Sequence, residues 1–99
     1  MVISDNLFRL IKAMTRSEKG YFKKYTLLHV RGDGNNYIRL FDAIDSQREY
    51  DEKEIVRMLR PHAFVKHISV IKNYLHAQIL KALESYHSSI DADLYSLLH

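Results

Sequence analysis

VKHISVIKNYLHAQILKALESY, residues 65–86, decides the fold class. At ~100° per residue, Ile68, Ile71, Leu75, Ile79, Ala82 and Tyr86 fall inside an arc ~80° wide, the buried stripe of an α-helix. Val70, Ala77 and Leu80 lie well off that arc. A helix that is apolar on more than one side has neighbours on more than one side, which predicts a long central helix over about 65–86.

The same period recurs outward from this segment. Towards the N-terminus, Pro61 closes a short helix that opens at Asp51-Glu52-Lys53-Glu54 and carries Ile55, Val56, Met58 and Leu59. Before it, Asn36 is the expected N-cap of a helix with Tyr37, Ile38, Leu40, Phe41 and Ile44 on one face. The glycine-rich run Arg31 to Asn36 reads as a loop. Its Arg31-Gly32-Asp33 tripeptide is of a length that recurs by chance in such turns. Thr15-Arg16-Ser17-Glu18 is a capping box. It separates a first helix (Leu7, Phe8, Leu10, Ile11, Met14) from a second whose expected face is Tyr21, Phe22, Tyr25 and Leu28. Towards the C-terminus, Ser88 or Ser89 is expected to cap a last helix with Ile90, Leu94, Leu97 and Leu98 inward.

The expectation is therefore all-α: one domain over residues 1–99, a compact bundle of five to six helices. Only three glycines and one proline occur in 99 residues, too few for many short strands and tight turns. Without cysteine there are no disulfides, thiolate zinc sites or cysteine nucleophile. No stretch approaches the ~18 apolar residues of a membrane span, and the N-terminus lacks the pattern of a signal peptide. A cytoplasmic location is expected.

Several stretches resemble a known group. Thr15-Arg16-Ser17-Glu18-Lys19-Gly20-Tyr21-Phe22-Lys23 is similar to a TKSEKRYFK opening, and residues 36–45 (NYIRLFDAID) to NYLKLFDAID. Val70-Ile71-Lys72-Asn73-Tyr74-Leu75 is similar to VLKNYL, and Ser89-Ile90-Asp91-Ala92-Asp93-Leu94 to SIDAEL. These segments occur in this order near the start of uncharacterised bacterial proteins of several hundred residues, whose remainder reads as helical hairpins of tetratricopeptide type. The resemblance spans nearly the whole chain and implies the N-terminal part of a longer helical protein. It brings no assigned activity, so no functional residue is carried over. The leucines that end the chain, Leu94, Leu97 and Leu98, point the same way: they are expected to be covered by following helices of the parent chain, or by a second copy in the isolated fragment.

Chemistry-bearing constellations are sparse. None of the six histidines stands three or four residues from another, the spacing that puts two ligands on one helix face. Glu84-x-x-His87 has chelating geometry but stands alone where a di-iron bundle needs two such pairs. No G-x-S-x-G elbow or phosphate-binding glycine loop is present. Asp42 and Asp45 read as a solvated face opposite Phe41 and Ile44. No enzyme activity and no cofactor are expected.

Charge is the remaining signal. Residues 1–31 carry seven basic and two acidic side chains, whereas residues 32–60 carry five and seven. Arg9, Lys12, Arg16, Lys19, Lys23 and Lys24 crowd the first two helices and form the candidate partner-binding set, together with Leu94, Leu97 and Leu98. A structural or protein–protein interaction module is the preferred reading. The alternative is nucleic-acid binding, either through that basic hairpin or through a helix-turn-helix at 52–80. There, Lys66, Ser69, Lys72, Asn73 and His76 would project towards bases.

Overall fold

The structure, a computed structural model, describes the backbone of residues 2–30, 32 and 34–98 and the side chains of residues 6–30, 32 and 34–90. Five α-helices occur among them: α1 (Val2–Ala13), α2 (Arg16–His29), α3 (Gly34–Asp45), α4 (Glu52–Leu59) and α5 (Ile68–Leu98). A 3-10 turn over Ala63–His67 precedes α5. The described residues contain no strand, so the fold is an all-α bundle, with principal extents of 52 × 29 × 19 Å.

The capping box forms as the sequence requires. Thr15 Oγ1 accepts from Glu18 N at 3.1 Å, and Glu18 Oε1 accepts from Thr15 N at 2.7 Å. Two orphan donors at the start of α2 are thereby satisfied, and the chain reverses between α1 and α2. The Glu18 carboxyl is held below its ordinary value. The backbone N–H of Thr15 is the largest cause; burial opposes it, and bonds to His87 and the Thr15 hydroxyl reinforce it. Because the folded value lies below the unfolded one, this contribution is complete above the ordinary carboxyl range and is lost as pH falls through the folded value. Thr15→Ala is expected to cost about 1 kcal/mol. In urea titrations at falling pH, Glu18→Gln should lose less stability than the parent.

Gly32, with φ of 80°, makes the left-handed turn between α2 and α3. α3 starts at Gly34, two residues before the expected cap Asn36, whose Oδ1 instead accepts from Arg39 Nη1 at 3.0 Å. After α3, the Gln47 side chain clamps the next turn. It donates to Asp51 O at 2.9 Å and accepts from Asp51 N at 3.0 Å. Asp51 then caps α4, its Oδ1 accepting from Glu54 N at 3.2 Å.

Leu7 and Ile11 (α1), Phe22 (α2), Leu40, Phe41 and Ile44 (α3), Ile55 (α4), and Leu75 and Ile79 (α5) are all fully buried and meet in one core. α5 packs against α1, α2, α3 and the 3-10 turn, and so occupies the centre predicted for it. It differs from expectation at both ends. Residues 65–67 belong to the 3-10 turn, so α5 begins at Ile68. It also runs through Ser88 and Ser89 without a break, 31 residues in all. Serine favours a cap but does not force one, and no glycine or proline follows Pro61 to stop the helix.

The face of α2 is shifted. Phe22 is buried and Tyr21 and Tyr25 are half-buried, but Leu28 is 81% exposed; Thr26, not Leu28, completes the buried side. Thr26 Oγ1 is fully buried and has no hydrogen-bond partner among the described residues. A buried hydroxyl left unpaired is costly, and valine has nearly its shape. Thr26→Val is therefore expected to raise stability by about 1 kcal/mol, read as a higher urea midpoint at unchanged slope.

Candidate functional site

The basic hairpin is the first candidate, and the structure divides it. Lys12 Nζ donates to the backbone oxygen of Asp45 at 2.6 Å, Lys19 Nζ lies 2.7 Å from Asp45 Oδ1, and Lys23 Nζ lies 2.8 Å from Asp42 Oδ1. All three lysines converge on the last turns of α3, where unpaired carbonyls make the helix end negative. Lys12 and Lys23 also lie 5.6 and 5.8 Å from the ring centroids of Phe8 and Phe41. Asp42 and Asp45 are thus not a merely solvated face; they receive the hairpin's positive side chains. Three of the six basic candidates form an interhelical seam, and Arg9, Arg16 and Lys24 are exposed around it. The signal for this seam was present in the sequence as the opposite charge balance of residues 1–31 and 32–60.

The second candidate, 52–80, does not present the expected basic face. α4 packs on α3, and the 3-10 turn intervenes before α5. Lys72, expected to project, is 5% exposed. Its ammonium pairs with the Glu52 carboxylate and lies 3.3 Å from Tyr50 Oη. Tyr50 Oη donates to Glu52 Oε1 at 2.9 Å, and its ring packs on Phe8 at 5.8 Å. Burial alone would lower the Lys72 pKa; the hydrogen bonds to Glu52 and Tyr50 outweigh it and leave the value raised. Lys66, Ser69 and Asn73 are exposed, His76 is half-buried, and the cation between them is spent inside the fold.

Side chains capable of chemistry are likewise engaged elsewhere. His87 does not turn to Glu84 for a metal: its Nε2 lies 2.7 Å from Glu18 Oε2, joining α5 to the capped end of α2. Among the described residues no three histidine, aspartate or glutamate side chains converge as a metal site. Asp42, Ser46 and His62 line one groove of about 320 Å³ between α3 and α4. There the Ser46 hydroxyl donates to Ala43 O at 2.7 Å and Asp42 is held by Lys23, so no base is aligned on the hydroxyl.

The third candidate is apolar. Val70, Tyr74 and Leu80 are 50%, 58% and 49% exposed, and Ala77 between them is also exposed. Their spacing of four, three and three residues sets them along one outer side of α5, opposite the buried Leu75 and Ile79. These are the residues off the main stripe for which a second neighbour was expected; among the described residues none covers them. Leu94, Leu97 and Leu98 have side chains outside the described residues.

α5 runs antiparallel to α2, since Tyr21 Oη meets Ser85 Oγ at 2.6 Å while Glu18 meets His87. Past His87 it extends beyond the start of α2 at Arg16, and Ser88, Ser89 and Ile90 are exposed there. No helix of the described residues is long and apolar enough to cross a membrane. Comparison with family models, curated proteins and solved structures finds no match to this chain.

Proposed function

We propose that this chain is a non-enzymatic protein-interaction module, a helical scaffold that receives a further helix on the outer face of α5. The observation that carries this reading is the exposed run Val70, Tyr74, Ala77 and Leu80 on the helix at the centre of the bundle. Apolar side chains aligned on one helix face are the anchors by which helices pack on helices. In keeping with the resemblance, the module would head a longer bacterial protein of tetratricopeptide-like hairpins and work in the cytoplasm, which the cysteine-free sequence supports. Arg9, Arg16 and Lys24 would then colour the surface for acidic partners.

Nucleic-acid binding is the weaker reading, because Lys12, Lys19 and Lys23 are held by α3 and Lys72 is buried.

Two measurements test the proposal. Titration with duplex and single-stranded DNA at low and high salt should show no steeply salt-dependent binding. Such binding, abolished by reversing Arg9, Arg16 and Lys24, would overturn the interaction reading. An apolar reporter dye, anilinonaphthalene sulfonate, should bind the monomeric domain at the α5 face and be released by Val70→Gln with Leu80→Gln. A dye signal unchanged by that pair would also count against it.

A further inference from the structure

We infer that the hollow between the 3-10 turn and the starts of α3 and α5 is a binding site for a small aromatic carboxylate. It uses none of Val70, Tyr74, Ala77 and Leu80, and so goes beyond the interaction reading without resting on it. Asn36 of α3, Ala63, Phe64, Lys66 and His67 of the 3-10 turn and Ile71 of α5 line about 410 Å³. That volume lies within the range of small-molecule sites, which combine an apolar lining with a few polar groups. Here the apolar part is Phe64, only 9% exposed, with half-buried Ile71 and with Ala63. A ring can cover that surface and release its water, which a hydrated inorganic anion cannot do.

Charge sets the other half of the ligand. Lys66 and His67 are exposed, and neither has a hydrogen-bond or ion-pair partner among the described residues. Asn36 Oδ1 accepts from Arg39, which leaves the Asn36 amide nitrogen as a further donor. No acidic side chain lines this hollow, and none stands in the 3-10 turn or the first turn of α5. Two other hollows differ in this respect. Arg39 shares the groove between α3 and α4 with Asp42. Lys53, Arg57 and Arg60 share the one beside α4 with Glu52, and Arg57 is held by Glu54. Only a group that accepts and does not donate matches a lysine, a ring N–H and an amide together, and a carboxylate is such a group. An open site of this size should hold a two-ring carboxylate with a Kd of about 0.1–1 mM.

Titration of the nitrogen-labelled chain with 2-naphthoate near neutral pH, followed by amide shifts in NMR, is the test. The expected result is a saturable shift centred on Ala63–His67 and Ile71. The alcohol with the same ring, 2-naphthalenemethanol, should bind about tenfold more weakly, and inorganic phosphate should not displace the naphthoate. Lys66→Gln with His67→Gln should weaken naphthoate binding by about tenfold while helicity by circular dichroism is unchanged, since both residues are exposed. If that pair disturbs folding, naphthoate against the alcohol on the parent chain still decides the matter. No saturable shift up to about 10 mM overturns the inference. So does a shift centred on Val70 and Leu80, an alcohol that binds as tightly, displacement by phosphate, or a folded double variant that binds as the parent does. None of these results touches the reading of the outer α5 face, which the reporter dye and its own variants test separately.

Discussion

Phe22→Ala is expected to destabilise the domain by about 3–5 kcal/mol, the largest loss any single truncation should produce here. Phe22 is fully buried, and its ring stacks on that of Phe41 with centroids 4.6 Å apart and planes inclined by 24°. The stack joins α2 to α3 within the same core as Leu75 and Ile79 of α5. Removing the ring leaves a cavity between helices that can only partly collapse, so lost transfer energy and lost packing add. A domain of this length has about 5–15 kcal/mol in total. The urea midpoint should therefore fall sharply, and the thermal midpoint by about 12 °C or more. Leu28→Ala is the matched control. Periodicity alone sets Leu28 on the same face, yet it is 81% exposed, and its truncation should stay within about 0.5 kcal/mol. Equal losses at the two positions would refute the orientation of α2 described above.

The second large effect concerns Lys72 and Glu52, and it is asymmetric. Glu52→Ala takes the carboxylate away from a buried ammonium that lies 3.3 Å from Tyr50 Oη. Breaking a fully buried pair in this way costs about 3–5 kcal/mol. Glu52 itself is 45% exposed, so water can approach the orphaned charge, and the expected loss is about 2 kcal/mol. Lys72→Met removes the charge while keeping a buried apolar stem, and should cost less than about 1 kcal/mol. The double variant should resemble Lys72→Met alone; a double-variant cycle in urea checks this. The raised pKa of Lys72 adds a sign. Its contribution is complete below the ordinary lysine value and is lost as pH rises through the folded one, so the parent should weaken in strong alkali more than Lys72→Met.

These two sites differ in how far the sequence foretold them. Phe22 is legible from spacing, because a helix buries whatever recurs every three or four residues. Lys72 is not. A charged residue on a helix reads as solvent-facing, and nothing local reveals that Tyr50 and Glu52, some twenty positions earlier, return to meet it. The lysines of the hairpin make the same point at the surface. Their number and their asymmetry against residues 32–60 were visible, but whether they face a partner or the protein's own α3 depends on where Asp42 and Asp45 come to rest.

By itself, then, the amino-acid order determined the elements and their buried sides: the capping box at Thr15, the cap at Asp51, the stop before Pro61 and the stripe from Ile68 to Tyr86. These follow from hydrogen-bond satisfaction and helical periodicity, which act within a turn or two of chain. Tertiary structure alone decided that Thr26 rather than Leu28 is covered, and that Lys12, Lys19, Lys23 and Lys72 are spent within the fold. It also decided that Val70, Tyr74, Ala77 and Leu80 are left on the outside. The reason is physical: periodicity tells a helix which side to bury, but only the packing of distant helices against it settles what each side meets.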